Sequence, residues 1–293
     1  MVEQRRRATR VASLLFPALW VLAAEARALP FETLDPTAKA RFELGEKLEE
    51  QHEFDASTAH YEQVVALAPQ ISHLYWRIAR NHFRATQRLP MADETGRKRG
   101  FEQVKHWASR GTARDAQCAE CYLYEFIGVA SLARMEGTWS SARQAHRMKT
   151  LLDRALELGP SHEDGDWNHE LANAYFAAGV FYKVVPDVPM AGWLLGARGD
   201  RELSREYYRK ALALRSNRID FRLSLGSALL CEGRRDDDPE RAEEGLEWIR
   251  GIEALESHLP TDAIDREHAA ILLAHPERAC DYSGEEWRRL EGR

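Results

Sequence analysis

Residues 41–69 read RFELGEKLEEQHEFDASTAHYEQVVALAP, and this stretch decides the fold. Leu44, Gly45 and Leu48 share one face of a first helix, because residues three and four apart lie on the same side. A second apolar helical pattern follows and ends at Pro69, which cannot continue a helix. The stretch therefore predicts two helices in a hairpin, with Gly45 allowing the helices to approach closely.

The end of this hairpin recurs along the chain. In each copy a bulky residue is followed by a small or apolar pair, an apolar residue and a helix breaker. The copies are Tyr61–Pro69, Leu152–Pro160 and Tyr208–Ser216. A sequence pattern that recurs at the same place in successive helices is typical of stacked-repeat proteins. Such proteins present extended binding surfaces. The sequence therefore predicts an all-α repeat protein that binds partners.

The hairpin resembles a tetratricopeptide repeat (TPR). That repeat has a Leu-Gly pair and an aromatic residue on its first helix, and a proline closes its second helix. The matching positions are Leu44, Gly45, Leu48, Phe54, Tyr61 and Pro69. Looser copies follow, so that the resemblance covers roughly residues 36–260. The repeat domain is expected at residues 36–275. The resemblance implies an all-α, TPR-like α-solenoid of about five helical hairpins, with a protein partner and no catalytic role.

The hairpins are longer than a TPR unit. They close at Pro69, Ala113, Pro160, Ser216 and Pro260, so the spacings are 44, 47, 56 and 44 residues, against about 34 in a plain repeat. We expect lengthened loops between the two helices of a hairpin to hold the surplus, around residues 89–95, 135–140, 183–200 and 233–239. Such loops share one edge of a solenoid, which is often the binding edge.

The first 28 residues have the pattern of a secretory signal peptide. Four arginines precede an apolar stretch of 14 residues, Val11–Ala24, and Ala26-Arg27-Ala28 fits a cleavage site. The stretch reaches about 21 Å, short of the roughly 30 Å hydrocarbon core, so no stable membrane span is expected. We expect cleavage after Ala28, a short lead at 29–35 and a periplasmic or secreted protein. A mitochondrial presequence is the less favoured alternative, since Glu3 and the apolar run argue against it.

The charge balance argues against polyanionic partners. The whole chain carries −6, and residues 1–28 hold five arginines and two glutamates, so the remainder carries −9. A net negative charge disfavours non-specific binding to nucleic acid or to anionic membrane. The partner is therefore expected to be a protein.

The lengthened repeats and the export signal together resemble the TatT family, periplasmic TPR proteins associated with TRAP-type solute transporters. The matching stretches are Lys98–Gly111 and Gly179–Pro186. They are also similar to the related regulator-of-microtubule-dynamics type of helical repeat. The TatT resemblance implies an alternative function, an accessory subunit of a transport system with a pocket for a small organic solute and a homo-oligomeric assembly.

Two surfaces are candidate binding sites. Residues 183–199 form an apolar, proline-interrupted loop that is too hydrophobic to lie free in solvent. It is interpreted either as a lid or pocket wall or as a cover over the solenoid's own core. Its candidate binding residues are Val185, Pro186, Met190, Trp193 and Leu194. The second surface is the concave groove, where Arg77, Arg80 and Asn81 are expected to be exposed. The C-terminal tail is expected at residues 276–293.

Cys118 and Cys121 have the spacing of a redox dithiol or of half a metal site. No second CxxC pair exists, and Tyr122 stands where a haem-attachment motif has histidine. A thiol redox or metal protein stays open as an alternative to a structural pair, which would be disulfide-bonded after export or simply buried. Cys231 and Cys280 are expected to be separate thiols.

No sequence motif for catalysis is present. The chain lacks HExxH, a nucleophile elbow, a P-loop and GxGxxG. Asp164–Asn168 resembles the start of a calcium loop, but His169 replaces its glycine and Tyr175 its closing glutamate. Asp164 or Asp166 is instead expected to cap the next helix. The sequence therefore predicts no catalytic, cofactor or metal residues.

Overall fold

The computed structural model describes residues 34–165, 168–187, 192, 195–284 and 287. The helices in this part of the chain are α1 (Pro36–Glu50), α2 (Phe54–Leu67), α3 (Ser72–Gln87), α4 (Glu94–Arg114), α5 (Ala119–Met135), α6 (Thr138–Leu158), α7 (Glu170–Val184), α8 (Arg201–Leu214), α9 (Ile219–Arg235), α10 (Pro239–Arg250), α11 (Asp262–Ala274) and a 3₁₀ helix (Pro276–Asp281). The signal-peptide prediction and Met190, Trp193 and Leu194 lie outside the described residues.

The helices form five stacked hairpins, α1–α2, α3–α4, α5–α6, α7–α8 and α9–α10, followed by α11. Clusters of buried apolar side chains follow one another along the stack. The prediction of an all-α, TPR-like solenoid of about five hairpins is confirmed.

One helix–helix contact is repeated in the first and fourth hairpins. A Cβ atom on Gly45 would lie 2.5 Å from the ring of Tyr61, and a Cβ atom on Gly179 would lie 2.5 Å from the ring of Tyr208. Both rings are buried. Each glycine therefore makes room for the tyrosine of the second helix, which is why the two residue types recur together.

A serine completes the same contact in both hairpins. Ser57 donates through Oγ to the carbonyl oxygen of Gly45 at 2.8 Å, and Ser204 donates to that of Gly179 at 2.7 Å. The sequence separations are 12 and 25 residues. The longer loop of the fourth hairpin therefore leaves its helix packing unchanged.

The surplus length is distributed between loops and helices. Residues 185–200 separate α7 from α8, as expected, but only residues 136–137 separate α5 from α6. There the surplus lengthens the helices, and α6 has 21 residues. Gly137 permits the tight connection because its φ of 97° lies in the left-handed region, which favours glycine.

A short antiparallel β-ribbon joins α6 to α7. Its strands are β1 (Glu163–Asp164) and β2 (Asn168–His169). From the sequence, Asp164 or Asp166 was expected to cap α7. The prediction is wrong for Asp164, because His169 occupies the cap position and Asp164 points to an arginine of α3. Asp166 lies outside the described residues.

The C-terminal segment packs back onto the solenoid. The 3₁₀ helix contacts α9, and Tyr282 and Trp287 are buried with their ring centroids 4.9 Å apart. Cys280 forms a disulfide with Cys231 of α9, their Cα atoms 4.6 Å apart. The expectation of two separate thiols is therefore wrong, because the 3₁₀ helix returns across 49 residues of sequence.

Candidate functional site

The inner side of the first hairpins is filled by charged side chains, here called the ionic cluster: Glu46 and Glu49 of α1, Arg77 and Arg80 of α3, Asp164 of β1 and Glu170 of α7. Arg77, Arg80 and Asn81 were expected to be exposed in a groove, but they are 3%, 0% and 0% exposed. The β-ribbon and the start of α7 cover them. This part of the concave side is therefore closed.

Arg80 lies at the centre of the ionic cluster. Its Nη2 atom is 2.7 Å from Glu49 Oε1 and 2.6 Å from Asp164 Oδ2, and its Nη1 atom is 2.9 Å from Glu170 Oε1. The guanidinium also lies over the ring of Trp76, 4.7 Å from its centroid. One side chain thus joins three carboxylates from three different elements.

Arg77 extends the network towards α2. Its Nη2 atom is 3.0 Å from Glu46 Oε1, and its Nη1 atom donates to the Tyr61 hydroxyl at 2.8 Å. That hydroxyl in turn donates to Glu49 Oε2 at 2.9 Å. Tyr124 of α5 donates to Glu170 Oε1 at 3.0 Å. Every described first helix up to α7 therefore contributes to one hydrogen-bonded network.

Burial and neighbouring charges shift the pKa values of Asp164 and of the adjacent His73. Burial acts to raise the pKa of Asp164, but the hydrogen bond with His162 and the charges of Arg80 and Arg77 outweigh it, so the pKa lies below its usual range. Burial lowers the pKa of His73 well below its usual value. Asp164 therefore serves as a charged partner of Arg80 and Arg77.

A second feature is a cavity of about 230 Å³, here called the central cavity, next to the C-terminal ends of α3, α5 and α7. Its cationic wall residues are Arg84, Arg97, Arg134 and Lys183. Its carboxylates are Asp220 and Asp265, and its apolar wall includes Phe101, Phe176, Val180 and Leu259. The described wall therefore carries more positive than negative charge.

Lys183 has the most distinctive environment in the central cavity. Its Nζ atom donates to the backbone oxygen of Tyr282 at 3.5 Å and lies 5.9 Å from the centroid of that ring. Burial lowers the pKa of Lys183 to about 8, although the charge of Glu232 acts to raise it. Burial, together with the charge of Arg218, also lowers the pKa of Arg84.

The loop residues predicted as a binding site are only partly brought to this cavity. Val185 is buried in the core beside α6, and Pro186 accepts a hydrogen bond at its backbone oxygen from Gly199 at 3.1 Å. Val184, which the prediction did not include, lines the central cavity and is 67% exposed. At the start of this segment, Val185 therefore belongs to the core and Val184 borders the central cavity.

Cys118 and Cys121 are joined by a disulfide at the start of α5. Both are buried in the core between α3, α4 and α5, and Cys118 Sγ accepts from the backbone nitrogen of Cys121 at 3.2 Å. They do not line the central cavity. Across the described residues no group of three or more His, Cys, Asp or Glu side chains is arranged to hold a metal ion.

The cations of the central cavity were not predicted from the sequence. Arg84, Arg134 and Lys183 each lie in the last turn of a first helix. The first helices of stacked hairpins run in the same direction, so their ends meet at one edge. A basic residue in the last turn of three successive first helices was therefore the sequence signal for a cluster of cations. Such residues are also common there for another reason, because a positive charge interacts favourably with the dipole at a helix C-terminus.

No described helix has the length and apolar character required to cross a bilayer. None of the curated proteins compared with this chain matches it significantly. The stacked hairpins are similar to solved TPR proteins. The thermophilic TPR protein TTC0263 of Thermus thermophilus has a TM-score of 0.51 and 17% identity, covering 81% of this chain and 99% of its own. MamA has a TM-score of 0.41 and 16% identity, covering 71% and 95%.

At these identities the likeness concerns the fold alone. The family model described as Regulator of microtubule dynamics protein 1-3 matches residues 42–189, which is half of the chain. That match includes every residue of the ionic cluster and extends past the end of α7. The chain therefore belongs to the regulator of microtubule dynamics protein 1-3 family.

Proposed function

We propose that this protein is an exported, non-catalytic scaffold that binds a protein partner. The stack of hairpins carries the proposal, because a solenoid offers an extended surface for a partner and no motif for chemistry accompanies it. The ionic cluster favours a rigid framework rather than an open groove, since it fills the inner side of the first hairpins. The partner surface would then lie on the edge where the two helices of each hairpin meet.

An exposed tryptophan on that edge supports this placement. Trp139 follows the short connection between α5 and α6 and is 83% exposed. Large aromatic side chains contribute strongly when an interface buries them. Val184 lies at the corresponding end of α7 and is 67% exposed. Both residues lie on the edge where the two helices of each hairpin meet, which is the edge expected to bind the partner.

Export is supported by the cysteines and by the leader sequence. All four cysteines are paired in two disulfides. Disulfides persist in the periplasm and outside the cell and are rare in reducing compartments. The same buried pairing does not favour a thiol redox or metal role for Cys118 and Cys121, because neither sulfur is available to a partner.

Affinity capture from the native envelope fraction, followed by mass spectrometry, tests the scaffold role. We expect the wild-type protein to retain a specific protein and Trp139→Ala to retain at least about tenfold less. Leu67→Ala is the matched control, since Leu67 is 54% exposed at the opposite end of a hairpin. Recovery of no specific protein would contradict the scaffold, and equal loss with both variants would contradict the proposed edge.

The central cavity favours a second candidate function, an accessory subunit of a TRAP-type solute transport system like the TatT proteins. Lys183 and Val184, at the start of residues 183–199, line that cavity, which supports a small-molecule pocket. Capture should then recover a transporter component, and light scattering should show a homo-oligomer. Capture without any transporter component, under conditions that retain other envelope complexes, would exclude this candidate.

A further inference from the structure

We propose that the Cys231–Cys280 disulfide is a site of thiol–disulfide exchange that works as a latch. A dithiol reductant cleaves it, and the segment that it holds then opens away from the central cavity. This segment, here called the C-terminal flap, comprises residues 276–284. The proposal goes beyond the scaffold role and does not depend on it. It rests on the exposure of one disulfide, on the burial of the other and on the contacts of the flap with the cavity wall.

The two disulfides differ in their exposure to solvent. Cys280 is exposed, and Cys231 on α9 is half-buried. Cys118 and Cys121 are only 6% and 0% exposed, within the core between α3, α4 and α5. Thiol–disulfide exchange requires the attacking sulfur to reach the disulfide, and exposed disulfides are the labile ones. A reductant should therefore reach Cys231–Cys280 first.

The exchange proceeds in two steps. A thiolate of the dithiol attacks Cys280 Sγ, because this residue is the more exposed of the two, and the bond to Cys231 Sγ breaks. Cys231 leaves as a thiolate and takes a proton from water. The second thiol of the reductant then loses its proton and displaces Cys280, which is protonated in turn. The protein has gained two electrons and two protons, and the reductant has become a cyclic disulfide.

The C-terminal flap forms one side of the central cavity. Tyr282, Ser283 and Gly284 line the cavity. The backbone oxygen of Tyr282 accepts a hydrogen bond from Lys183 Nζ at 3.5 Å, and the centroid of the Tyr282 ring lies 5.9 Å from the same nitrogen. Opening of the flap therefore removes part of the cavity wall and uncovers Lys183.

Side-chain packing holds the flap in addition to the disulfide. Ala279 and Tyr282 are buried in the C-terminal apolar cluster, and the Tyr282 ring centroid lies 5.8 Å from that of His268 on α11. The backbone nitrogen of Tyr282 donates locally, to the oxygen of Ala279. Short segments with local hydrogen bonds are among the first to open in a folded protein. Cleavage of the covalent link to α9 should therefore shift the flap towards its open form.

Graded reduction under native conditions tests the order of cleavage. The purified protein is incubated with dithiothreitol, free thiols are trapped with iodoacetamide at intervals, and peptide mass spectrometry locates the label. We expect Cys231 and Cys280 to be labelled at least about tenfold faster than Cys118 and Cys121. Equal rates, or faster labelling of Cys118 and Cys121, would overturn the proposal.

Hydrogen exchange and lysine acetylation test the opening of the flap. After selective reduction, amide exchange in residues 276–284 should become at least about tenfold faster, while exchange in α3 stays unchanged and reports an intact fold. Acetylation of Lys183 by an activated ester should also accelerate, with the exposed Lys39 as the reference. Unchanged exchange in the flap, or unchanged acetylation of Lys183, would overturn the proposal.

Two double variants separate the latch from reduction in general. Cys118→Ala/Cys121→Ala keeps the latch, so dithiothreitol should accelerate exchange in its flap as in the wild type. Cys231→Ala/Cys280→Ala lacks the latch, so its flap should exchange fast with or without dithiothreitol. A flap that stays protected in this second variant, while α3 is protected as well, would overturn the proposal. The wild-type measurements need no substitution, so they decide the question even where a variant fails to fold.

Discussion

Arg80 is the residue on which the inner side of the first hairpins depends. It is wholly buried and pairs with Glu49, Asp164 and Glu170 at 2.6–2.9 Å. A buried ion pair stabilises a fold only modestly relative to apolar packing, because both charges lose their hydration. Removing one partner is different, since the other charges stay buried without compensation. Arg80 therefore fixes the arrangement of α1, β1 and α7 more than it adds net stability.

Arg80→Met is expected to lower the free energy of unfolding by about 3–5 kcal/mol, because it leaves three carboxylates without their shared cation. Urea denaturation measures the change. Arg209→Met is the control, since Arg209 and Glu244 form an exposed pair on α8 and α10 and such pairs contribute about 0–1 kcal/mol. A loss from Arg80→Met no larger than that of the control would show that the cluster does not hold the hairpins together.

Lys183→Met is expected to raise the melting temperature at pH 7. The folded pKa of about 8 is below the usual value of 10.5, so the folded protein binds fewer protons between those pH values and its stability rises with pH there. Below about pH 8 the charged ammonium is buried at a cost, which methionine removes. Calorimetry at pH 7 and pH 10 should show a gain that shrinks at the higher pH. A lower melting temperature at pH 7 would contradict this account.

At the scale of elements, the two disulfides constrain very different lengths of chain. Cys231–Cys280 spans 49 residues of sequence and ties the 3₁₀ helix to α9. Cys118–Cys121 spans 3 residues within one helix start. A disulfide stabilises mainly by restricting the unfolded chain, and the restriction grows with the length enclosed. The C-terminal bridge should therefore matter more.

The double variant Cys231→Ala/Cys280→Ala is expected to lose about 4 kcal/mol of unfolding free energy, against less than about 2 kcal/mol for Cys118→Ala/Cys121→Ala. Urea denaturation of both proteins without reductant measures the difference. A larger loss of unfolding free energy in Cys118→Ala/Cys121→Ala would mean that the packing around these buried residues contributes more than the restriction of the unfolded chain.

The hairpins could be predicted from sequence because their signals are local. Gly45 with Tyr61, and Gly179 with Tyr208, reflect contacts within one hairpin, and the helix-ending phrase marks each second helix. The β-ribbon and the burial of Arg77 and Arg80 could not be predicted in this way. They depend on carboxylates that arrive from α1 and α7, and an arginine on a first helix is by itself compatible with a solvated groove. The central cavity was missed for the same reason, since its cations come from four separate helices.

At the scale of the whole molecule, the two halves are held together differently. The N-terminal half is linked across its hairpins by the ionic cluster, which joins α1, α3, α5 and the start of α7. The C-terminal half combines apolar contacts, such as those of Leu223 and Leu272, with the Cys231–Cys280 bridge. Its ion pairs include Arg218–Asp220, whose partners are two residues apart in sequence. Conditions that neutralise carboxylates should therefore affect the halves unequally.

Acidification is expected to open the N-terminal half first. The pKa of Asp164 is lower in the folded protein than in the unfolded chain, so its contribution is present above about pH 4 and is lost as the pH falls below that value. Glu46 acts in the opposite direction, because burial raises its pKa. Hydrogen exchange with mass spectrometry at pH 3 and pH 6 should show loss of protection in α1 and α3 before α9. Simultaneous loss of protection in α1, α3 and α9 would contradict the proposed difference in acid stability between the two halves.

The bridge between Cys231 and Cys280 also determines how the molecule responds to tension. If a bound partner or a pulling device drew on the C-terminus, the load would pass from Cys280 directly to α9, and α10 and α11 would lie outside the force path. With at most about 3.6 Å of extension per residue, the 49 bridged residues would withhold up to roughly 180 Å of contour length. The oxidised protein would then be a short, stiff tether, and reduction would release that slack.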